Sequence, residues 1–557
     1  MDTQRLILFF IFSFSLLLLW DAWQKEQHPK PPPAAAARQA PGVPTPSAPL
    51  GSAPQAATPE KPAAAVVPGV AAAGAAAPVV ASEKIEVKTD LVEAQIDTLG
   101  ATLTRLELRK HKDVEDPAKD FVLFGPTHHY AAQSGLIGDG MPNHRSPWRA
   151  LPGERSLGAS AEKLQVRFAA DGPGGVTVEK TYTFHRNSYL VDVEFEIRNS
   201  GGTPVSAYAY FQVVRDDGSP AGQNRMMYVY TGPVYYTKER AFHKIQFSDV
   251  EKGKVDLPKE ATDGWVGMMQ HYFVAAWIPQ EKVAREYFMR KLPDGLYASG
   301  VIVAPPAAGP QAASRVSVRL FAGPEEQQRL KQAAPGLDLV VDYGWLAIIA
   351  WPLFSVLEFF HGWTGNWGFA IILLTISIKL LFFPLSAASY KSMARMKLVT
   401  PRLTKIREMY ANDRARMNQA MMELYKTEKI NPLGGCFPIL VQIPVFIALY
   451  WTLLAAIELR HAPFILWIHD LSAQDPYYVL PILMAASMVL QTRMNPVPPD
   501  PVQAKVMQFM PYVFSVFFFF FPAGLVLYWL VNNILSILQQ WQIQRMFNRD
   551  RSAHGKR

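Results

Sequence analysis

Residues 365–384, GNWGFAIILLTISIKLLFFP, make one apolar run interrupted by a single cation, Lys379. A helix over residues 367–385, rising 1.5 Å per residue, covers roughly 28 Å, close to the hydrocarbon thickness of a bilayer. The run therefore predicts a membrane-spanning helix with an ammonium inside it. On insertion scales that ammonium costs about 2.5–3.5 kcal/mol near the bilayer centre, so it must face a water-filled cavity, a partner or the nearer interface. Snorkelling is the plainer alternative: the boundary near Ser386 is only about 10 Å away along the axis, and a lysine stem recovers part of that.

The distribution of charge fits a membrane protein better than a nucleic-acid binder. The chain carries a net charge of +8 over 557 residues, but its basic residues cluster beside apolar spans, as the orientation rule for cytoplasmic loops requires. Such a length predicts several domains. A lone cysteine, Cys436, excludes an intramolecular disulfide, so an exported domain must be held by its core alone. The thiol itself reads as a small buried hydrophobe.

Residues 1–24 read as an uncleaved anchor with a cytoplasmic N-terminus, because 6–20 is apolar after Arg5 and no small-x-small site follows promptly. Residues 25–81, dominated by Ala and Pro, read as a tether that cannot bury enough surface to fold. Over 82–336, short runs alternate with period two, among them 103–108, 164–168, 176–184, 189–197, 208–214 and 316–321. With Gly, Asn, Asp and Pro between them, these runs predict a large antiparallel β-sandwich. Its histidines, His128, His129, His185 and His271 among them, are scattered and no HExxH or GxSxG pattern appears, so enzyme chemistry is not indicated. The aromatic-rich stretch 264–279 reads as core.

Residues 337–364 place Trp345, Leu346, Ile349, Leu353, Val356, Leu357 and Phe360 at helical spacing among Asp338, Asp342, Glu358 and His361. This predicts an amphipathic helix along the outer membrane face, kinked at Pro352. After the Lys379 span (365–386), residues 387–434 are basic and cytoplasmic, with apolar positions at helical spacing on either side of Ala411–Asn412–Asp413, which predicts a two-helix hairpin. Arg402 belongs to its basic set. Met396, Met417 and Met421 give it either a soft surface that repacks against apolar partners or its own internal packing. Residues 435–544 carry four more spans, over 437–457, 477–491, 506–521 and 524–538, and 545–557 is a basic cytoplasmic tail. The expected architecture is a helical core of six spans, counting the anchor, with both termini cytoplasmic and a large external β-sandwich.

Inside the spans the polar inventory is thin: Thr375, Ser377, Lys379, Gln442, Gln491, Asn532 and Asn533, with amphipathic Tyr528 and Trp529. No Asp or Glu sits mid-span to balance Lys379, whereas ion-coupled carriers usually place carboxylates there. Thr375 and Lys379 are four apart and share a helix face. A cation, amides and hydroxyls without a counter-ion suggest a wet cavity that receives polar or acidic groups from outside the protein, although each amide alone is equally a tie between helices. The sequence has no GxxxxGK[ST] loop and no metal-ligand cluster, so neither nucleotide hydrolysis nor a metal or other cofactor is expected.

NPLGGCFPILVQIPVFIALY (431–450), APFILWIHDLSAQDPYYVLPILM (462–484) and FPAGLVLYWLVNN (521–533), following the Lys379 run, strongly resemble the YidC branch of the YidC/Oxa1/Alb3 membrane protein insertases. The match spans about 337–545, and the anchor, tether and β-domain fit the layout of the Gram-negative form. The resemblance implies a groove open to cytoplasm and lipid, with Lys379 at a position usually held by arginine and Thr375, Gln442, Gln491 and Trp529 as its polar or aromatic sites. Lysine keeps the charge but loses the planar fork of a bidentate contact. The resemblance further implies a non-enzymatic inner-membrane insertase in which nascent membrane proteins slide along 437–457 and 506–521. It implies a hairpin that handles incoming chains, a tail that favours ribosomes, and work alone or beside the Sec translocon and its accessory subunits, with membrane lipids as surroundings and no specific nucleic acid. The β-domain resembles the family's periplasmic domain, related in fold to mutarotase-like sandwiches, with no sugar chemistry implied. A secondary transporter and a membrane-anchored sugar-binding protein are the rival readings.

Overall fold

The computed structural model describes residues 82–220, 229–258, 260–411, 413–428, 437–495 and 501–554. The expected anchor (1–24), tether (25–81) and Cys436 lie outside them. The described residues fall into two compact units that divide between Val340 and Val341.

The first unit is built by period-two sequence. Along Lys163–Asp171 the side chains of Leu164, Val166 and Phe168 are buried while Lys163, Gln165 and Arg167 are exposed, because successive residues of a strand point to opposite faces. Among the described residues two antiparallel sheets result. One runs in the order Lys84–Lys88, Val92–Asp97, Thr102–Lys112, Ala131–Ile137, Tyr208–Arg215, Tyr297–Val303 and Arg285–Lys291, with Asp120–Phe124 beside Thr102–Lys112. The other runs Ala241–Lys244, Gly232–Thr237, Trp265–Gln270, Phe273–Pro279, Ala312–Pro324, Leu190–Asn199, Val176–His185, Lys163–Asp171 and Arg149–Ala150. Two short helices, α1 (Phe247–Glu251) and α2 (Gln327–Ala333), complete the unit.

The sheets meet face to face. Phe211 lies 5.2 Å from Trp277 and 5.7 Å from Phe195 between ring centroids, and the buried Ser299 hydroxyl donates to Gly267 O of the opposite sheet at 3.0 Å. Residues 264–279 form a hairpin of two wholly buried strands, in agreement with their expected place in the core.

At one end of this core Tyr210 Oη is hydrogen-bonded to Nδ1 of His144 and accepts from the His144 backbone N–H at 3.1 Å. Burial, aided by Arg145, Lys180 and Arg290, pushes the His144 imidazole down to about 4. Between pH 6.5 and 4 the unfolded chain therefore binds a proton that the folded one refuses, so stability falls as the pH drops through that window. The loss is on the order of 2–3 kcal/mol at 1.36 kcal/mol per pKa unit, discounted for partial exposure. Hydrogen exchange at 131–137 and 208–215, corrected for its intrinsic pH dependence, should speed up between pH 6.5 and 4.5 in the native chain and stay flat in His144→Phe.

The second unit is helical: α3 (Ala347–Thr364), α4 (Trp367–Leu381), α5 (Phe383–Met409), α6 (Arg414–Thr427), α7 (Phe437–Ala455), α8 (Val479–Met494), α9 (Pro501–Phe518) and α10 (Ala523–His554). Gly365, in the left-handed region at φ 66°, ends α3 with its N–H on His361 O at 2.7 Å, and the Asn366 carboxamide then caps α4 by accepting from Gly368 N and Phe369 N. Against α10 pack α4, α5, α7 and α8.

Three boundaries differ from the sequence reading. The Lys379 helix stops at Leu381, and α4 and α5 meet at 66° across Phe382 instead of running straight to 386. The region 337–364 is not one helix but a 3-10 turn, Leu337–Val340, followed by a helix from Gly344 to Thr364. That helix buries Ala350, Phe354 and Leu357 yet exposes Trp345, Ile348, Phe359 and Trp363, so its outer face is apolar as well. Finally α10 runs on to His554, so the expected tail from 545 begins as helix.

Gly344–Thr364 is, among the described residues, the one helix long and apolar enough to cross a membrane, with a second if α4 and α5 form one bent span. The six-span count is not reached on length and composition because the apolar stretches Val441–Ala455, Val479–Met494 and Ala504–Phe518 are short and α10 carries Asn532, Asn533, Gln539 and Gln540.

Candidate functional site

One face of α10 carries Trp529, Asn532, Asn533, Ser536 and Gln540, a three/four spacing that stacks polar groups in a ladder. Each rung meets a different place on a neighbouring helix. Gln442 of α7 donates its amide to Asn532 Oδ1 at 2.9 Å. Asn533 donates to Ser487 Oγ of α8 at 2.7 Å. The Lys379 ammonium of α4 donates to Ser536 Oγ at 2.8 Å, and Ser536 in turn donates to Asn532 O at 2.7 Å. Gln540 donates to Asn495 Oδ1 at 3.1 Å, just past the C-terminus of α8.

Lys379 is only 6 % exposed and finds no carboxylate among the described residues. A buried cation on a single neutral hydroxyl is underprovided: its ammonium has three donors, and a charge-assisted bond to a carboxylate is roughly twice as strong as one between neutral groups. The ammonium therefore keeps donor capacity that an anionic group would satisfy better than a hydroxyl does. Thr375, one turn earlier, is buried at 1 % and donates within its own helix to Ile371 O at 2.7 Å, so its hydroxyl lends polarity without reaching across. Gln491 is half-buried on α8, one turn beyond Ser487. Trp529 is buried, stacked on Phe446 at 5.4 Å and edge-on to Phe518 and Phe521, with its indole N–H lacking a hydrogen-bond partner among the described residues.

Lys379, Gln442 and Trp529 thus converge on α10, as does the helix carrying Gln491. The sequence reading missed Ser536, Ser487 and Gln540. For Ser536 and Gln540 the signal was present as the continuation of the 529, 532, 533 spacing, but a serine in an apolar run looks harmless until a polar partner is placed on it; Ser487, on α8, had no such signal.

The hairpin places Met396 and Met421 together against Val399 and Leu403, while Met417 is half-buried and Met409 and Met422 are exposed. Arg402 is bound to Glu428 at 2.5 Å across the base of the hairpin. At the opposite end of the helices, the loop between α7 and α8 is tied down at several points. Asp475, 2 % exposed, accepts from Trp467 Nε1 and from the backbone of Tyr477 and Leu480, and Asn366 donates to Pro463 O and Phe464 O. Gly368 is required beneath it, since a Cβ there would sit 2.0 Å from the Phe464 ring. Asp470 accepts from His461 and Ser472; burial raises its carboxyl, but these donors outweigh burial and hold it below the usual range.

Comparison with known proteins gives the same assignment along the whole chain. Residues 84–356 match the YidC periplasmic domain and residues 359–550 match the 60Kd inner membrane protein family. The membrane protein insertase YidC of Nitrosospira multiformis is 54 % identical over 98 % of this chain and 97 % of its own length. That of Aromatoleum aromaticum is 52 % identical, covering 99 % of each. A crystal structure of an active YidC insertase with its first transmembrane domain resolved covers 82 % of this chain and 92 % of its own, at 17 % identity and a TM-score of 0.37. The chain belongs to the YidC family of membrane protein insertases.

Proposed function

We propose that the ladder on α10 is the fixed wall of an insertion groove, and that Lys379 is its exchangeable charge. A substrate helix of about 20 apolar residues gains roughly 6–12 kcal/mol on entering the bilayer, at 0.3–0.6 kcal/mol per residue. Insertion is downhill, and the barrier is the polar or acidic flank that must cross. A polar recess with one cation lowers that barrier by shortening the dry path and offering a transient partner, so neither nucleotide hydrolysis nor a catalytic step is called for. The observation that carries this reading is the Lys379 ammonium resting on Ser536, with no carboxylate among the described residues to displace.

In this reading the chain crosses the inner membrane six times with both termini in the cytoplasm and the β-sandwich in the periplasm. Substrate helices pass along α7 and α9, whose outer face exposes Phe509, Tyr512, Val513 and Val516. The α5–α6 hairpin meets incoming chains, the basic tail approaches the ribosome, and the protein works alone or beside the Sec translocon. A photocrosslinker at Gln442 or Trp529 should capture a stalled nascent chain with an acidic flank. Capture only from Leu483, exposed on α8, with none from the ladder, would reject the groove.

A further inference from the structure

The opposite face of α10 has its own pattern. Ile534, Leu538, Trp541 and Arg545 follow at four, three and four residues, so they form one stripe. All four are exposed, Ile534 at 43 %, Leu538 at 53 % and Trp541 at 54 %. The Arg545 guanidinium lies 5.4 Å above the Trp541 ring, a cation–π stack that holds a flexible cation in one place. Resting on the six-span reading, helix rise fixes the depth of this pair. From Ala523 at the outer end, Trp541 is about 27 Å and Arg545 about 33 Å along the axis, against a hydrocarbon thickness of about 30 Å. Ile534 and Leu538 then face acyl chains, Trp541 sits where interfacial aromatics collect, and Arg545 reaches the phosphate layer of the inner leaflet.

We infer that Trp541 and Arg545 form a binding site for the headgroup phosphate of an anionic phospholipid. The occupant follows from two observations: the site continues an apolar stripe into the interface, and its one charged group has the sign and the planar fork that suit phosphate. The surrounding sequence is basic on balance, with Arg549 and Arg551 against Asp550 in the chain that follows and Lys391 and Arg395 exposed on α5, which packs against α10.

The test uses the full chain in vesicles of phosphatidylcholine, with bimane on Gln542→Cys in a Cys436→Ser background. Trace 5-doxyl phosphatidylglycerol should half-quench the dye at about fivefold lower mole fraction than 5-doxyl phosphatidylcholine, the factor expected of one arginine at an anionic surface. Arg545→Gln should bring the two lipids to parity, and Arg545→Lys should keep part of the preference. Equal quenching by both lipids in the parent, or a preference that survives Arg545→Gln, overturns the site. Survival together with weakened ribosome sedimentation overturns it in favour of a ribosome contact. Quenching by aqueous iodide with none by either lipid would remove the six-span placement as well.

Discussion

Lys379→Ala is expected to slow insertion of substrates with acidic translocated flanks by about 10- to 100-fold in reconstituted vesicles, while leaving neutral-flanked substrates within about threefold. The magnitude follows from the charge alone. Two unit charges 4 Å apart attract by about 4 kcal/mol at an effective dielectric of 20, desolvation takes back part of this, and each 1.36 kcal/mol that survives is a factor of about ten in rate. Lys379→Arg should retain activity, and the neutral-flank substrate reports whether the fold has survived. Ser536→Ala separates charge from hydrogen bond, since it removes the resting partner at 2.8 Å but keeps the cation, and insertion of acid-flanked substrates should persist. Equal insertion by the parent chain and Lys379→Ala for both substrate classes would end the account of Lys379 as the working charge.

The other large effect lies in the β-sandwich, at Lys180. Its side chain has no exposed surface. The ammonium donates to Ala101 O at 2.8 Å and Gly100 O at 3.1 Å, in the turn that joins Val92–Asp97 to Thr102–Lys112 of the opposite sheet, and to Ser134 O at 3.3 Å in that sheet's strand Ala131–Ile137, and is flanked by the rings of Trp148, Tyr182 and Phe195. Burial pushes it well below the usual lysine range. One side chain thus pins two sheets together. Lys180→Met keeps the stem and loses three hydrogen bonds, at about 2–3 kcal/mol; Lys180→Ala also opens a cavity, at about 4–5 kcal/mol. Hydrogen exchange in the full chain should show protection at 102–112 and 176–185 falling by about three to four orders of magnitude in the alanine variant and by about two in the methionine one. Unchanged protection in both would show that the pin contributes nothing.

What was legible in the sequence follows from where periodicity survives. Strands with one wet face, such as Leu190–Asn199, alternate and were readable. The strands Gly232–Thr237 and Tyr297–Val303 are almost wholly buried, so nothing in them alternates and they were passed over. Lys180, Arg215 and Arg285 were unreadable for another reason. Each is a charge that looks like surface but has no exposed area, because oxygens that only the fold assembles satisfy it: distant backbone carbonyls for Lys180 and for Arg285 (Gly264 O and Thr262 O), and for Arg215 the Gln270 carboxamide together with the nearby carbonyls of Asp216 and Gly218. At the candidate site, Lys379 stood out because an apolar run isolates it. Its partner Ser536 did not, since 157 positions separate the two and only the packing of α4 on α10 joins them. The length of the Lys379 helix was misjudged because apolar sequence continues through Phe382 and Phe383 while the backbone turns.

If the ladder of α10 is the groove wall proposed above, it bears on how a client is let go. A seam of interlocked greasy knobs resists parting until much of it has come undone, whereas amides and hydroxyls trade one neighbour for another of equal grade, rung by rung. A guest's own uncharged polar atoms can take over each amide or hydroxyl rung with little net gain or loss, so away from Lys379 the seam neither grips a passenger nor recoils from it. How long a passenger stays is then dictated by how strongly the surrounding oil draws it sideways, and the empty seam recloses without being reset.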